Sequence, residues 1–473
     1  MAHRQTNKVP PGSSGLESQR LTVIGGGSGC NAILSPFQDS LKTTFIVPVS
    51  DDGGSTAEIL RVLGGPALGD IRSRLVRLIP PSREGSPLFC IRQFFEYRLP
   101  STGTHYEIKG EWHSIVEGTH RLWKGFNFKK ASIGNLFLSG ASLFLGSVPS
   151  AIFLFASLTG IPHEAFAVVP VINTSSTVTI AAELENGSII AGQSEISHPS
   201  PNSQPANAVS PSLVPPSSTT ATTTTSTTGI SSPQPTRPFH LPLPSNSYFP
   251  LTRATTPSFP EPPVLGAEED DDSRPMDSPD PNTYSNNKSR NIEFSKDGDE
   301  QVPLEARIEK IFYLNAYGTE INPRPNGLFL ESLNTSTALV YAPGSLYTSI
   351  LPCLALHSVG PLIATSPSLK YKILLLNSTR DRETPDYSCL DFVKAISSAC
   401  NRAYGEDLEG KGRRTWEPRE FVSHVVYLEG TKVEVDREEL ESLGIETIAA
   451  RPTLTGLFDD EVVREALERI FSG

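Results

Sequence analysis

The sequence predicts an α/β fold in which a mostly parallel sheet carries helices on both faces. Two stretches carry this prediction, because each runs from an apolar strand through a turn of small residues into a helix. The first begins with the apolar run Leu21–Ile24 and passes through four glycines and a serine to a predicted helix over 31–37. A second apolar run at 45–49 completes a parallel strand–helix–strand unit. The other stretch runs from a strand at 338–341 to an apolar helix over 350–357.

The composition excludes several classes of protein. Only 37% of the 473 residues are hydrophobic and 41 are prolines, so we expect part of the chain not to pack. The net charge of −12 argues against non-specific nucleic-acid binding, because a polyanion is attracted by basic surfaces. Residues 1–20 are polar and lack the apolar core of a secretory signal. The five cysteines are widely spaced without a C-x-x-C pair, which indicates reduced thiols in a cytoplasmic protein: Cys30, Cys90, Cys353, Cys389 and Cys400.

One apolar segment is long enough to be considered as a membrane span. No charged residue occurs from Ala131 to Pro162, and 136–158 has the necessary length. A Gly-Ser-Val-Pro sequence at 146–149 divides this segment into two pieces of about a dozen residues each. The sequence therefore predicts two core helices packed on the sheet and no membrane partner.

The glycine turn after the first strand is a candidate phosphate site. Glycines at the end of a strand bring bare N–H groups close to a ligand, and a helix N-terminus behind them favours an anion. The spacing lacks the third glycine of G-x-G-x-x-G and the Lys-Ser/Thr of a P-loop, so the alternative is a turn without a ligand. The residues concerned are Gly25, Gly26, Gly27, Ser28 and Gly29.

Two adjacent acids follow the second strand. Asp51 and Asp52 stand at its carboxyl end, which is the edge where open α/β sheets bind ligands. Paired carboxylates beside a phosphate site suggest a divalent cation or a base for a hydroxyl group. The alternative is that Asp52 caps the helix predicted over 55–63, and one acid can serve each purpose.

The next predicted helix spans 68–79 and carries charged residues in its first turns. Its apolar face consists of Ile71, Leu75 and Leu78, and the pattern places Arg74 and Arg77 away from that face. Asp70 can cap the helix. Arg72 emerges in the first turn, either towards a ligand or as a solvated surface charge.

The second half of the chain offers a second candidate anion site. Two strands over 177–184 and 188–193, joined through Asn-Gly, predict a hairpin. After the strand 338–341, hydroxyl-bearing residues gather at the start of the following helix: Ser345, Tyr347, Thr348 and Ser349. They form either an anion-binding turn or a well-capped helix without a ligand. A later strand at 371–376 also ends in polar residues, at 377–384.

Between these halves the character of the sequence changes. Residues 199–302 are rich in proline and contain a Thr/Ser tract at 217–228 and the acidic run Glu268–Asp272. Such a segment buries too little apolar surface to offset the entropy of ordering it. The sequence therefore predicts a disordered insertion over 199–302, and a disordered N-terminus over 1–19.

Five motifs in order resemble one known family. They are Val23–Gly29, Val49–Ser55, Gly69-Asp-Ile-Arg72, Gly134-Asn135-Leu136 and Pro343–Ser349. Together they resemble the CofD-like family, which joins the 2-phospho-L-lactate transferases to the gluconeogenesis-factor proteins. The resemblance covers roughly 20–198 and 303–470. It therefore implies one nucleotide-binding domain, 20–198 with 303–473, that is interrupted by the insertion.

The resemblance implies a Rossmann-like fold, commonly dimeric, with one of two functions. The transferase branch moves a phospholactyl or phosphoenolpyruvyl group from a guanosine diphospho-donor to a deazaflavin hydroxyl, releases GMP and uses Mg²⁺. The other branch binds nucleotide sugars or dinucleotides and regulates metabolism without established catalysis. The insertion would then be the place where other proteins bind.

The transferase hypothesis assigns a role to each motif residue. Asp51 and Asp52 would be catalytic and would bind the metal. The nucleotide or its phosphates would be held by the motif residues Gly25, Gly26, Gly27, Ser28, Gly29, Gly53, Gly54, Ser55, Arg72, Asn135, Gly344, Ser345, Tyr347, Thr348 and Ser349. The sequence does not identify the nucleotide or the acceptor.

Overall fold

Eleven strands form two sheets in the part of the chain that the structure describes. The structure is a computed structural model, and it describes residues 15–104, 131–198, 303–402, 415–452 and 456–472. In chain order the strands are β1 Arg20–Ile24, β2 Lys42–Val47, β3 Phe166–Pro170, β4 Val178–Leu184, β5 Ile189–Ala191, β6 Ile308–Asn315, β7 Glu320–Ile321, β8 Ala338–Tyr341, β9 Tyr371–Leu375, β10 His424–Leu428 and β11 Glu446–Ala450. The predicted disorder over 1–14 and 199–302 lies outside the described residues.

Seven of these strands form one parallel sheet, as the sequence predicts. Their order is β11-β10-β9-β8-β1-β2-β3. The strand β1 pairs with β2 on one side and with β8 on the other, so that Val23 lies opposite both Phe45 and Val340. The chain therefore builds the sheet outward in two directions from β1 and β8, which makes their junction the topological switch point. The pairing also joins the sequence before residue 199 to the sequence after residue 302.

The other four strands form a separate antiparallel sheet in the order β5-β4-β6-β7. The predicted hairpin is confirmed as β4 and β5, with Ala182 opposite Ile190. The strand β6 pairs with β4 of this hairpin and does not join the parallel sheet. Its burial alternates along much of its length, as is usual for an antiparallel strand with one solvated face.

Helices cover both faces of the parallel sheet. Within the described residues they are α1 Ser28–Asn31, α2 Ser35–Gln38, α3 Gly54–Leu63, α4 Gly69–Leu78, α5 Pro87–Glu96, α6 Ile133–Leu145, α7 Val148–Thr159, α8 Gln193–Ser197, α9 Gly327–Thr335, α10 Leu351–Leu354, α11 Val359–Thr365, α12 Cys389–Arg402, α13 Arg437–Ser442 and α14 Asp460–Ser472. A π-helical turn, Leu346–Ile350, precedes α10.

Two local predictions are wrong. The helix predicted over 31–37 is divided into α1 and α2, because the ring of Pro36 would clash with the carbonyl of residue 32 in a continuous helix. The ordered chain also begins before the predicted boundary at residue 20. Leu16 lies in a 3₁₀ turn with only 3% of its surface exposed, so residues 15–19 belong to the folded part.

The apolar segment over 131–162 forms two separate helices, as predicted. Gly146 ends α6 in the left-handed conformation, and Ser147 caps α7. No single helix of the described ranges is long and apolar enough to cross a membrane. The bent pair Leu346–Leu354 and Val359–Thr365, with 79° between its members, has the combined length and composition.

Candidate functional site

The motif residues lie where four neighbouring parallel strands end. The chain leaves β1 into Gly25–Gly29, β2 into Ser50–Gly54, β8 into Ala342–Ser345, and β9 into a loop that contains Glu383. All four connections meet at one edge of the sheet around the switch point. Open α/β sheets bind their ligands at this place.

The first turn needs its glycines because other parts of the chain approach it closely. A Cβ atom on Gly27 would overlap a carboxylate oxygen of Asp70, and one on Gly29 would overlap the carbonyl of Pro343. A Cβ atom on Gly26 would lie 2.5 Å from the hydroxyl of Ser349. The N–H of Gly27 donates a hydrogen bond to Asp70. The turn therefore brings the β1 and β8 connections and the start of α4 together.

Asp70 and Asp51 form a pair of half-buried carboxylates beside this turn. Oδ1 of Asp51 accepts a hydrogen bond from the N–H of Gly53 at 3.1 Å, and its other oxygen lies against Gly69. Burial raises the pKa of Asp51. Burial, and then the charge of Asp51, raises the pKa of Asp70 to about 7, while two arginines counteract the shift.

Asp52 points away from this pair. Its Oδ1 accepts a hydrogen bond from the N–H of Ser194 at 2.7 Å, so its carboxylate serves the first turn of the short helix α8. The alternative that Asp52 caps the helix after β2 is therefore wrong, since Gly53 stands at that cap and no side chain bonds there. Asp70 does not cap α4 either, because Leu68 occupies the cap position.

A second polar network joins Arg72 to the end of β2. The Nε of Arg72 donates to Oδ1 of Asn135 at 3.0 Å, and Nδ2 of Asn135 donates to the hydroxyl of Ser55 at 3.1 Å. Gly134 is required here, because a Cβ atom would lie 2.8 Å from the side chain of Arg72. Burial, followed by the charge of Arg98, lowers the pKa of Arg72 to about 10. The sequence-predicted residues Ser55, Arg72 and Asn135 are thus brought together.

Arg74 is a structural member of the site that the sequence analysis missed. It was expected to lie away from the apolar face of α4, but only 1% of its surface is exposed. Its guanidinium donates to the carbonyl of Gly26 and to the sulfur of Cys30, both at 2.9 Å, and stacks over Phe45. A buried charge needs such partners. Arg74 therefore holds the glycine turn through the carbonyl of Gly26 and the sulfur of Cys30. The sequence pattern placed Arg74 away from the apolar face of α4 and gave no indication that it is buried.

The second predicted anion site already holds an anion from the chain itself. The carboxylate of Glu383 accepts hydrogen bonds from the hydroxyls of Ser345 at 2.5 Å and Thr348 at 3.0 Å, and from the N–H of Tyr347 at 2.9 Å. The hydroxyl of Ser197 supplies a fourth bond at 2.5 Å. Only 2% of Glu383 is exposed, and burial raises its pKa. The carboxylate of Glu383 is therefore closed to solvent.

Three other residues of this turn, which were also predicted to bind an anion, do not bond Glu383 through their side chains: Gly344, Tyr347 and Ser349. The hydroxyl of Tyr347 points away from the turn and bonds the carbonyl of Ile308 and the hydroxyl of Tyr387. The side chain of Asn377 holds the backbone of Gly344 by two bonds of 2.7 and 3.0 Å. Of the four predicted hydroxyl residues, Ser349 faces the glycine turn.

A cavity of about 830 Å³ lies on the other side of these elements. It is bounded by β6, the segment 322–325 and the ends of α10 and α12, and Tyr347 is the one sequence-predicted residue in its wall. The acids at the sheet edge do not line it. The described residues also contain no group of three or more His, Cys, Asp or Glu side chains placed to bind a metal. At the sheet edge, Asp51 and Asp70 can supply two carboxylates.

Comparison with known proteins agrees with the fold. A family model described as 2-phospho-L-lactate transferase CofD matches residues 21–453. An uncharacterized protein of Saccharomyces cerevisiae, YNL011C, is 31% identical over 96% of this chain and 98% of its own length. The gluconeogenesis factor of Bacillus subtilis is 20% identical over 96% of this chain and 97% of its own. The crystal structure of protein BH3568 from Bacillus halodurans matches with a TM-score of 0.56 at 19% identity, covering 95% of this chain and 99% of that one.

Proposed function

Because the chain belongs to the CofD family, we propose that it binds a nucleotide at the switch-point edge and transfers a phospho-acyl group with Mg²⁺. The donor would be a nucleotide carrying a diphosphate, and the acceptor a hydroxyl group. In such a transfer the acceptor oxygen bonds to phosphorus, the phosphoanhydride bond breaks, the nucleoside monophosphate leaves, and the acceptor releases its proton. The single observation that carries the proposal is the pair Asp51 and Asp70 beside the glycine turn.

The carboxylate pair fits the requirements of Mg²⁺. This ion is usually held by one or two carboxylates together with substrate phosphates and water. Asp51 and Asp70 are close enough for the charge of one to raise the pKa of the other, and both are only half-buried. We therefore assign the metal to Asp51 and Asp70 and not to Asp51 and Asp52, because Asp52 bonds the backbone of Ser194. Bound there, Mg²⁺ would neutralise charge on the donor phosphates.

The other residues of the edge would orient the donor. Arg72 lies beside both acids and hydrogen-bonds Asn135, so its guanidinium is held in place to meet a phosphate. Ser349 borders the same edge, where its hydroxyl group faces Gly26. Glu383 fills the second turn, and we therefore assign the ligand's phosphates to the β1 side of the edge.

The test is thermal unfolding of the purified chain with GDP, GMP, UDP-sugars and NAD, each with and without Mg²⁺. A ligand at a hundred times its dissociation constant should stabilise the fold by about 2.7 kcal/mol. We expect a guanine nucleotide to act only with Mg²⁺, and ³¹P NMR with a diphospho-donor to detect the released monophosphate. A guanine nucleotide that stabilises the fold equally without Mg²⁺ would contradict the assignment.

Three Asp→Asn variants locate the metal. Asp51→Asn and Asp70→Asn should each abolish the Mg²⁺-dependent stabilisation, whereas Asp52→Asn is the matched control and should retain it. Burial and mutual repulsion disfavour the charged pair, so the first two variants should unfold no earlier than the wild type. If Asp52→Asn alone lost the Mg²⁺-dependent stabilisation, the metal would have to be assigned to Asp51 and Asp52 and not to Asp51 and Asp70.

A second candidate is a nucleotide-sugar or dinucleotide sensor that does not catalyse a reaction. The similarity to the gluconeogenesis factor of Bacillus subtilis along nearly the whole chain favours it. A response to a UDP-sugar or NAD without Mg²⁺ would support this candidate over the transferase. Deleting 200–300 should then leave ligand binding intact and remove the regulatory output.

A further inference from the structure

The cavity that Tyr347 borders has the size of a small-molecule pocket. Its volume of about 830 Å³ falls within the range of such pockets, about 300–1,000 Å³. Its walls are formed by β6 and β7, the segment 322–325, α12, and α10 with the residues that follow it. Asp51, Asp70 and the glycine turn do not line it. The cavity is therefore a candidate site that is separate from the edge of the parallel sheet.

The buried part of the cavity wall is apolar. Its members, each at most 9% exposed, are Ile311, Tyr313, Tyr347 and Leu351. The hydroxyl of Tyr313 donates to the carbonyl of Pro352 at 2.7 Å. The hydroxyl of Tyr347 bonds the carbonyl of Ile308 and the hydroxyl of Tyr387. Both hydroxyls have their partners within the protein, so the part of a ligand that enters here must be apolar, because an unpaired polar group is costly to bury.

The exposed part of the wall carries positive charge. Arg324, Arg402 and His357 are all exposed where they border the cavity. Nη1 of Arg402 donates to the carbonyl of Glu309 at 3.0 Å, which connects the end of α12 to the start of β6. The guanidinium of Arg324 has neither an ion pair nor a hydrogen bond among the described residues. Arg324 is therefore a cation with which a ligand can pair.

The backbone around Arg324 is restricted before any ligand binds. Arg324 stands between Pro323 and Pro325, and all three residues border the cavity. A proline fixes its own backbone angle φ and also restricts the residue before it. An antiparallel bridge between Ile172 and Pro325 ties the segment to the rest of the fold. A ligand that pairs with this guanidinium therefore has little backbone freedom to immobilise.

A hydrogen-bond donor lies in the turn that follows α10. Ser358 has a φ of 73°, in the left-handed region that residues other than glycine seldom adopt. Its hydroxyl lies 2.7 Å from Nδ1 of His357. When Nδ1 accepts this bond, the ring proton is on Nε2, which becomes a donor. Strained backbone of this kind is concentrated at ligand sites, and both residues border the cavity.

The acidic residues of the wall compensate this charge only in part. Glu320 is next to Ile321, which lies opposite Tyr313 in the pairing of β7 with β6. Because side chains alternate along a strand, Glu320 points to the opposite face from the buried tyrosine. Among the described residues of the wall, Glu309 is the carboxylate that remains on the cavity side, against two arginines. The exposed part of the cavity is therefore suited to one negative charge.

We propose that this cavity binds an amphipathic carboxylate, a ligand with an apolar chain and one anionic end. The chain lies against Ile311 and Leu351, and the carboxylate pairs with the guanidinium of Arg324. Arginine is suited to this contact because its planar fork of donors matches the two carboxylate oxygens. The proposal is independent of the nucleotide site, because the two sites share no charged residue.

The test is isothermal titration calorimetry of the full chain with decanoate, and with decanol, which has the same chain without the charge. Decanoate should saturate one site per chain. Decanol should bind at least about tenfold more weakly, because it cannot form the charged hydrogen bonds with Arg324. A decanoate titration that shows no saturable site up to about 1 mM would overturn the proposal, as would equal affinities for the two ligands.

Arg324→Ala should weaken decanoate binding at least about tenfold and leave decanol binding unchanged, because it removes only the contact with the charge. Arg451→Ala is the matched control, since the side chain of Arg451 is 90% exposed and does not border the cavity. It should bind both ligands as the wild type does. Unchanged decanoate affinity in Arg324→Ala would overturn the proposal.

A second variant tests the position of the apolar chain. Ala399 lies on α12 in the cavity wall, and Ala399→Phe adds a ring to that wall. It should weaken the binding of decanoate and of decanol alike. The midpoint of urea unfolding, measured for each variant, shows whether it is folded. A folded Ala399→Phe variant that binds both ligands as tightly as the wild type would overturn the proposal, and Arg324→Ala decides it if Ala399→Phe does not fold.

Discussion

The two turns that follow β1 and β8 share a sequence pattern, yet the structure uses them differently. Both pass from a strand through small residues into a helical segment, and in both a backbone N–H donates to a carboxylate from elsewhere in the chain. At the first turn the carboxylate is Asp70, which is half-buried and lies beside Asp51 and Arg72. At the second it is Glu383, which four donors surround and which is 2% exposed.

This difference separates a site that a ligand can reach from one that the protein has filled. A half-buried acid pair with unfavourable mutual repulsion gains from a cation. A carboxylate that is surrounded by donors instead stabilises the fold, because its hydrogen bonds link the segments that carry those donors. Glu383 connects the β8 turn to Ser197, which lies on the other side of the insertion in sequence. A strand–small-residue–helix pattern therefore predicts that an anion will be held, and not whether it comes from a ligand or from the chain.

The largest effect is expected from Glu383→Ala. The change leaves three hydroxyls and one N–H without their acceptor in a closed site, and each such group costs about 1–3 kcal/mol. The free energy of unfolding, measured in urea, should fall by about 3 kcal/mol or more. Glu383→Gln keeps the side-chain volume and one acceptor oxygen, so its free energy of unfolding should fall by less than that of Glu383→Ala. A loss below about 1 kcal/mol in Glu383→Ala would mean that the second turn does not depend on its internal anion.

A smaller effect is expected from Gly27→Ala. The new methyl group would displace the carboxylate of Asp70, so the Mg²⁺-dependent affinity for nucleotide should fall at least about tenfold, or 1.4 kcal/mol. Gly140→Ala is the matched control, because this exposed helical glycine has no neighbour within 4 Å. It should raise the free energy of unfolding by about 0.5–1 kcal/mol and leave nucleotide affinity unchanged. Unchanged affinity in Gly27→Ala would separate the glycine turn from the ligand site.

The last effect concerns the pH dependence of stability, which is spread over several pH units and is measured with EDTA present. The pKa of Asp70 is about 7 in the folded chain, against a reference value of 3.8. Between these values the folded state binds more protons than the unfolded state, so stability from this group is lost as pH rises from about 4 to 7. The slope cannot exceed about 1.4 kcal/mol per pH unit for one proton. Relative to wild type, Asp70→Asn should therefore become more stable across this window. If the free energy of unfolding of the wild type and of Asp70→Asn depended on pH in the same way, the raised pKa of Asp70 would be contradicted.

Particular elements explain which predictions the sequence supported. The parallel strands β1, β2, β8 and β9 were predicted to within a few residues, because each contains an apolar run of the kind found in strands that are buried on both faces. The break at Gly146 that separates α6 from α7 follows from a glycine and a proline and was equally visible. The antiparallel pairing of β6 with β4 could not be predicted, because the pattern of apolar residues in a strand does not identify the strand with which it pairs. The Pro36 break was missed although its signal was present.

By itself, the sequence determined the fold class, the edge of the sheet where the motif residues gather, and the glycine turn. These depend on local patterns of apolar residues, glycines and polar strand ends. Only the tertiary structure decided that Asp70 joins Asp51 while Asp52 turns to Ser194, that Arg74 is buried under the turn, and that Glu383 fills the second site. Each of these outcomes depends on which distant groups meet a carboxylate or guanidinium, because a charged side chain in a crowded site takes the partners that three-dimensional packing offers.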